Sequence, residues 1–322
     1  MFYISAASGI THQPTFKNSG FSASIEPITA SSELISPVFK DYIDAGLLRR
    51  MSKILRMSVT CAKDCLEQAD IEQPDSIVVG TGFGCLQDTE KFLNNVLTIE
   101  GLLPPTSFIQ STHNTIAGQI SLSIGNHGYN MTHTQNTLSF EHAVLDAMLL
   151  LEEDNKNVLV GAADEYIEIL NKVSTNLNLV AKAQITSGAS FFVLSNEKKE
   201  TTLAQILDVE TIGFVQDIPA AIDTFLEKNN LAQTLIDYVF FADFGTDSGK
   251  DSFVNSYFNQ IEDKKKLIDY SLLSGLYPTN SAFALHCAVD KIQKNKEIQN
   301  VLICSNLNKI NFGLTLIQSI EA

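Results

Sequence analysis

Short apolar runs, each bounded by glycine, serine or aspartate, recur along the chain and alternate with longer amphipathic stretches. The clearest runs are SIVVG at 76–80, SGASFFVLS at 187–195 and DYVFFAD at 237–243. A continuous apolar run of this length is typical of a strand that is buried on both faces under helices. The pattern therefore predicts an α/β fold in which helix layers cover mixed sheets.

One helical stretch is apolar on nearly every side. Residues 138–151 read LSFEHAVLDAMLLL, and a wider polar face begins only at Glu152. A surface helix would show a broader charged stripe. We therefore expect a central helix here, entered through the small and polar residues that precede it.

The order of these features repeats in the second half of the chain. Residues 139–164 and 281–306 each contain an apolar helix with a histidine followed by an aspartate, a charged turn, and a strand that opens with Asn-Val-Leu. Such self-similarity indicates a duplicated unit. We place the boundary after the polar turn near residue 198, which predicts halves of 1–198 and 199–322.

The length, the short apolar runs and the net charge limit the class of protein and its possible partners. With 322 residues, 44% of them hydrophobic, the chain can bury a large core. The apolar runs are too short to span a membrane and the first residues do not read as a secretory signal, so we expect a cytoplasmic location. A net charge of −15 disfavours nucleic acid and anionic membranes as partners.

Neither a metal nor a cofactor is expected. The five cysteines lack a CxxC pair and lie in apolar segments, so they are interpreted as reduced buried thiols, including Cys61 and Cys65 one helical turn apart. The GTGFG stretch lacks the final spacing of a dinucleotide-binding motif. Cys85 directly after it is interpreted as a structural residue, because no histidine or aspartate adjoins it to activate a nucleophile.

Basic residues are concentrated at one place. All three arginines of the chain, Arg49, Arg50 and Arg56, lie with Lys53 in the segment RRMSKILR. If the segment is one helix, Arg49, Lys53 and Arg56 share a side. A solvated helix face is the ordinary interpretation, and contact with an anion or an acidic partner is the alternative.

Taken in order, these segments resemble a β-ketoacyl-acyl carrier protein synthase of the thiolase-like fold. The resemblance covers about residues 45–200 through RRMSKILRMSVTCAKDCLEQADI, SIVVGTGFG, NTIAGQISLSIGNHG, THTQNTLSFEHAVLDAMLLL, NVLVGAADE and SGASFFVLSNE. It continues more weakly through IDYVFFADFGTDSGKD, YSLLSGLYPTNSAFALHCAVDKI and NVLICSNLNKINFGLTLI. The resemblance implies an internally duplicated, five-layer αβαβα architecture with a second half shorter than is usual in the family.

Active members of that family use a cysteine at the start of the central helix and two histidines, in H-G-T and K-S-x-x-G-H motifs. With His142 and its helix as anchor, the resemblance places the cysteine position at Thr137, with Gln135 as the alternative. The first histidine position falls on Phe244, the lysine position on Leu273 and the second histidine position on Pro278. Every expected catalytic group is absent.

This departure bears directly on the chemistry. A thiol has a reference pKa of roughly 8.5 and readily gives a thiolate at a helix N-terminus, whereas an alcohol needs an adjacent general base. Phenylalanine and proline side chains cannot donate a hydrogen bond to an enolate oxygen. We therefore expect no condensation by this chain alone.

A subgroup of the family, the chain-length factors, shows the same degeneracy. The resemblance implies a non-catalytic subunit that pairs with an active ketosynthase in type II polyketide, aryl-polyene or flexirubin-like pathways and helps to shape the tunnel for the growing chain. Carrier proteins are acidic, and this chain has a net charge of −15, so the two would repel each other. We therefore expect the carrier protein to dock mainly on the partner subunit. The possible local contribution comes from Arg49, Arg50, Lys53 and Arg56.

Two other functions stay open at this stage. One is an acyltransferase or hydrolase that uses Thr137 or Ser139 with His142, although no acidic residue is identifiable to orient the imidazole. The other is a homodimeric acyl-binding scaffold without chemistry. Co-purification with a cysteine-bearing ketosynthase, against self-association alone, separates the scaffold from the chain-length-factor hypothesis.

Overall fold

The fold was established from a computed structural model that describes residues 1–176, 184–243, 257–258 and 266–320. The strands are β1 Phe2–Ile10, β2 Ser76–Gly80, β3 Tyr129–His133, β4 Asn157–Asp164, β5 Gly188–Ser195, β6 Ala204–Gly213, β7 Tyr238–Asp243, β8 Leu267–Asp269, β9 Asn300–Leu307 and β10 Asn311–Gln318. The helices are α1 Ala45–Leu48, α2 Lys53–Ala69, α3 Leu86–Thr98, α4 Pro105–Gln110, α5 Thr115–Ile124, α6 Ser139–Glu153, α7 Glu168–Asn176, α8 Ile218–Lys228, α9 Tyr270–Ser274 and α10 Ser281–Lys294.

The strand order shows the duplication directly. The order is β3-β2-β4-β5-β1-β6-β10-β9-β7-β8, so each half contributes five adjacent strands. In the first half β3, β2 and β4 are parallel, β5 is antiparallel to β4, and β1 is antiparallel to β5. The second half repeats this arrangement with β8, β7, β9, β10 and β6. The predicted α/β fold of two similar halves is confirmed.

Side-chain alternation along the strands separates the core into three clusters. In β2, Val78 faces the inner cluster, which is built around α6 and α10, whereas Ile77 and Val79 face α2 and α5. In the second half, the outward residues of β7 and β9 pack against α8. The order of packing is therefore outer helices, first-half strands, the two central helices, second-half strands and an outer helix, which gives the expected five layers.

The central helix is confirmed, with one departure. Most of α6 is buried between the two halves, including Phe140, Ala143 and Ala147. Leu149, however, is 60% exposed. The reason is that α6 also packs beside β3, an end strand of the sheet, so part of its apolar surface reaches the outside of the described fold.

The basic segment does not form one continuous helix, so the expected shared face of Arg49, Lys53 and Arg56 does not arise from helical spacing. Helix α1 ends at Leu48, and α2 begins at Lys53 with Ser52 as its extended N-cap. Between them Met51 is buried, with 4% exposure, in the cluster under α2. The break between the two helices thus coincides with a buried side chain in the connecting segment.

The boundary predicted near residue 198 stays a prediction; residue 198 lies between β5, which ends at Ser195, and β6, which begins at Ala204. None of the helices in the described ranges has the length and apolarity that crossing a bilayer requires.

Candidate functional site

Thr137 lies in the short 3₁₀ turn Asn136–Leu138 that leads into α6. Asn136 has a left-handed backbone with φ of 54°, which asparagine tolerates better than most residues. Thr137 is buried, with 5% exposure, and its Oγ1 accepts a hydrogen bond of 3.1 Å from Nδ2 of Asn311 on β10. The hydroxyl is thus engaged by an amide from the second half of the chain.

Of the two candidate nucleophile positions, Thr137 is the buried one and Gln135 is exposed. Pro278 is also buried and lies beside the same turn. A Cβ at Gly82 would collide with the Pro278 ring and would lie 3.3 Å from the backbone oxygen of Asn136. The structure therefore brings Thr137 and Pro278 to one place, around a glycine that leaves them room.

The structure says less about the other two positions that the resemblance assigns to catalytic groups. Leu273, on α9, is partly buried against the inner core cluster, and its carbonyl oxygen accepts a hydrogen bond of 2.9 Å from Nε2 of Gln13. Phe244 lies outside the described residues. The assignment of Leu273 and Phe244 to catalytic positions stays a prediction.

Asp164, at the end of β4, holds the loops around this region together, although it belongs to none of the motifs that predict the site. Its Oδ1 accepts hydrogen bonds from the Thr81 hydroxyl and from the backbone N–H groups of Gly82 and Phe83, at 2.7–3.0 Å. Its Oδ2 accepts from the N–H and hydroxyl of Thr279, at 3.1 and 2.7 Å. Burial raises the pKa of Asp164, and these donors oppose the rise. The sequence feature that could identify Asp164 is its position at the end of a buried apolar strand.

A second buried carboxyl lies one helical turn beyond Thr137. Glu141 is 2% exposed, and its Oε2 has no hydrogen-bond partner among the described residues. It packs against Gly313, where an added Cβ would come within 3.2 Å of its Cγ. Burial raises its pKa to about 7, partly offset by its own backbone N–H and by the nearby Ser281 hydroxyl. Glu141 is therefore readily protonated near neutral pH.

The hydroxyl and imidazole groups of the hydrolase alternative are engaged elsewhere. The Ser139 hydroxyl donates to the carbonyl oxygen of Asn136 at 2.7 Å. The His142 ring stacks on His133, with 6.3 Å between centroids, and His133 lies 2.9 Å from an Asp146 carboxylate oxygen. An acidic partner for an imidazole does exist here. Among the hydrogen bonds of the described residues, however, neither Thr137 nor Ser139 bonds to His142.

The cysteines of the first half are buried and in the thiol form. Cys85 is fully buried before α3, and burial together with the carboxylates of Glu165 and Asp88 raises the pKa of its thiol far above the usual value. Burial also raises the pKa values of Cys61 and Cys65. A nucleophilic cysteine needs the opposite shift.

The four basic residues of RRMSKILR line one cavity of about 700 Å³ despite the break between α1 and α2. The same cavity is also lined by Lys91 of α3, which lies outside the segment RRMSKILR. Lys91 lies 35 positions beyond Arg56, so only the packing of α3 beside the start of α2 reveals this arrangement. We refer to this site as the basic cavity.

Comparisons with known protein families and with curated proteins identify the same kind of enzyme as similar to this chain. The model for the N-terminal domain of beta-ketoacyl synthases matches residues 31–210. A 134-residue stretch is 28% identical to a mitochondrial protein of Schizosaccharomyces pombe described as a 3-oxoacyl-[acyl-carrier-protein] synthase. That match covers 39% of this chain and only 31% of the yeast protein.

Two solved structures share the fold over nearly the whole chain. The ishigamide ketosynthase/chain length factor is 14% identical, with a TM-score of 0.78 and 99% of each chain covered. A ketosynthase in complex with its chain length factor from Xenorhabdus doucetiae is 13% identical, with a TM-score of 0.77 and coverage of 99% of this chain and 98% of that one. These likenesses confirm the thiolase-like ketosynthase fold. Because the domain match extends over more than half of its residues, this chain belongs to the beta-ketoacyl synthase family.

Proposed function

We propose that this chain is a ketosynthase-like subunit without condensation activity of its own, which pairs with a cysteine-bearing β-ketoacyl synthase and acts as its chain-length factor. The observation that carries the proposal is the buried Thr137 hydroxyl held by Asn311, next to Pro278, where the resemblance expects a thiol and an imidazole. The likeness of the fold to ketosynthase/chain length factor structures supports it.

The chemistry of the turn argues against covalent catalysis. An alcohol attacks a thioester only when a general base removes its proton. The hydrogen-bond partner of Thr137 is an amide N–H, which is a donor and cannot take that proton. Pro278 offers no hydrogen bond to an oxyanion, a loss that typically costs about 3 kcal/mol for each missing donor.

An outer surface supports the partner role. Strand β3 is an end strand and, within the described ranges, pairs with β2 alone. Tyr129 and Met131 on β3 are each 40% exposed, and Leu149 on α6 is 60% exposed. We call these three residues the β3–α6 surface. An open strand edge beside exposed apolar side chains is suited to contact with another protein.

The proposed subunit contributes walls to an acyl or polyene chain tunnel, and the partner supplies the reacting groups. Carrier-protein docking lies mainly on the partner, because this chain carries a net charge of −15 and carrier proteins are acidic. The local contribution to docking comes from Arg49, Arg50, Lys53 and Arg56, which line the basic cavity.

The test is co-expression with a candidate cysteine-bearing ketosynthase, followed by size-exclusion chromatography with light scattering and a condensation assay. We expect the two chains to form a heterodimer and condensation activity to appear only in that complex. The variant Thr137→Cys of this chain alone should show no condensation activity. Condensation by the isolated wild-type chain would contradict the proposal. A self-associating chain that binds no ketosynthase would favour the homodimeric acyl-binding scaffold.

A further inference from the structure

A cavity of about 470 Å³ lies where the two halves of the sheet separate. Strand β1 continues beside β5 as far as Ile10, but its pairing with β6 ends at Ile4. Past Ile4, the other edge of β1 pairs with no strand in the described part of the chain. Side chains from two layers line the cavity there, namely Asp64 and Glu67 of the outer helix α2 and His286 and Asp290 of the central helix α10. We call it the inter-layer cavity.

The charged groups that line the inter-layer cavity are mostly negative. Three carboxylates, those of Asp64, Glu67 and Asp290, share the lining with one ammonium group, that of Lys17. Burial lowers the pKa of His286 to about 4, partly opposed by the nearby Asp290, so its ring is uncharged at neutral pH. The lining therefore favours a cation over an anion.

Lys17 already places an ammonium group among these carboxylates. Its Nζ lies 3.3 Å from Oδ1 of Asp64 and 2.9 Å from Oε2 of Glu67. Asp64 is fully buried, whereas Lys17 and Glu67 are 45% and 68% exposed. Because an exposed ion pair contributes little to stability, Lys17 can stay paired with Glu67 while another ammonium group takes its place at Asp64.

Two buried side chains of the lining keep a polar atom without a hydrogen-bond partner among the described residues. Oδ2 of Asp64 accepts hydrogen bonds from Ser8 and Gln68, at 2.5 and 2.8 Å, but its Oδ1 accepts none. Nδ1 of His286, a residue that is 6% exposed, also has none. Such atoms are costly to bury, so a ligand that brings N–H donors to Asp64 would supply what the described fold leaves out.

The inter-layer cavity also has apolar lining. Ala7 of β1, Leu203 directly before β6 and Val289 of α10 belong to it. Carboxylates on two different helices, together with apolar side chains, suit a ligand that has a cationic group at each end of a short hydrocarbon chain. Among the described residues, no group of three or more His, Cys, Asp or Glu side chains could hold a metal ion, which favours an organic cation.

We propose that the inter-layer cavity binds an aliphatic diamine, with one ammonium group at Asp64, in place of the Lys17 ammonium, and the other at Asp290. Asp290 accepts hydrogen bonds from the backbone N–H groups of Gly20 and Ser22, at 2.6 and 3.0 Å. Each carboxylate oxygen can accept two hydrogen bonds, so Asp290 can accept from an ammonium group as well. The site goes beyond the proposed subunit role, because it requires neither a partner ketosynthase nor any group at the turn around Thr137.

The test is calorimetric titration of the full chain with 1,4-diaminobutane at an ionic strength of about 0.15 M, which screens unspecific attraction to an acidic surface. We expect the diamine to bind, butylamine to bind more weakly, and 1,4-butanediol, which has the same carbon chain without charge, not to bind. Asp64→Asn should weaken binding of the diamine by about tenfold or more. Asp70→Asn is the matched control, because Asp70 is exposed at the end of the same helix and outside the cavity.

Lys17→Gln gives a second readout, which a purely structural role of Asp64 would not produce. It removes the competing ammonium group, so the diamine should bind more tightly than to wild type. Circular dichroism establishes that each variant folds, and Glu67→Gln, at an exposed residue of the lining, replaces Asp64→Asn if that variant does not. The proposal is overturned if the wild-type chain does not bind the diamine, if the diol or butylamine binds equally well, if Asp64→Asn and Asp70→Asn lose binding equally, or if Lys17→Gln does not tighten it.

Discussion

The turn around Thr137 and the outer surface of the same half of the molecule differ in how their polar groups are used. At the turn, the Thr137 hydroxyl is bonded to Asn311 and the Asp164 carboxyl to five donors, so the hydrogen bonds close within the chain. On the outside, β3 has no strand beyond it within the described ranges, and the cations of the basic cavity make no ion pair among the described residues. The polar groups at the turn are therefore satisfied within the fold, whereas those of the outer surface are available to other molecules.

The largest effect is expected at Asp164. Asp164→Ala leaves the donors of Thr81, Gly82, Phe83 and Thr279 buried without an acceptor, so we expect a loss of about 4 kcal/mol in the free energy of unfolding. Urea denaturation followed by circular dichroism measures it. Asp154→Ala, at an exposed aspartate after α6, is the control and should change little. A loss at Asp164 no greater than at Asp154 would show that the turn does not depend on this carboxyl.

The buried carboxyl of Glu141 gives the next largest effect, as a dependence on pH. Its pKa is about 7 in the folded protein and has an ordinary value of 4.5. Because the folded state holds the proton more tightly, stability is greatest at low pH within this window and falls as pH rises from 4.5 through 7. The full difference is about 3 kcal/mol by linkage.

Glu141→Gln removes this dependence, so the variant should gain stability relative to wild type as pH rises from 5 to 8. Urea midpoints at several pH values measure the difference, and Glu152→Gln on the exposed end of the same helix is the control. A difference between wild type and Glu141→Gln that is constant with pH would refute the raised pKa.

Substitutions in the β3–α6 surface test whether the outer surface contacts the proposed partner subunit. Met131→Asp and Leu149→Asp place a charge where the proposed partner would bury apolar area, and we expect each to weaken the heterodimer by about 100-fold. Analytical ultracentrifugation of the co-purified subunits measures this. Leu235→Asp, at a residue 55% exposed in the second half, provides the comparison. Equal effects at all three positions would place the partner elsewhere.

The sequence predicts the elements of this fold better than it predicts the contacts between them. The apolar runs at 76–80 and 187–195 locate β2 and β5 because a strand buried on both faces has little polar surface. The break between α1 and α2 is not evident from the spacing of the basic residues, and neither is the burial of Met51 within it.

The site was predictable only in part, for a related reason. The order of features before α6 predicts Thr137 as a candidate position, and the structure shows that this residue is buried at the start of the helix. Its partner Asn311 is 174 positions away, and Asp164 joins Thr279 across 115 positions. Neither pair leaves a pattern in one sequence, because the contacts arise only when the second half packs against the first. Lys91 likewise lies beside the arginines only because α3 packs near the start of α2.

The smallest expected effect concerns the Thr137–Asn311 hydrogen bond itself. A neutral hydrogen bond typically contributes about 1 kcal/mol net, so a double-mutant cycle with Thr137→Val and Asn311→Ala should show a coupling energy of that order. Thr137→Val keeps the side-chain shape, which separates loss of the hydrogen bond from loss of volume. Urea denaturation of the two single variants, the double variant and wild type gives the coupling. A value near zero would mean that this hydrogen bond does not stabilise the turn, so the polar groups there would not differ in this respect from those of the outer surface.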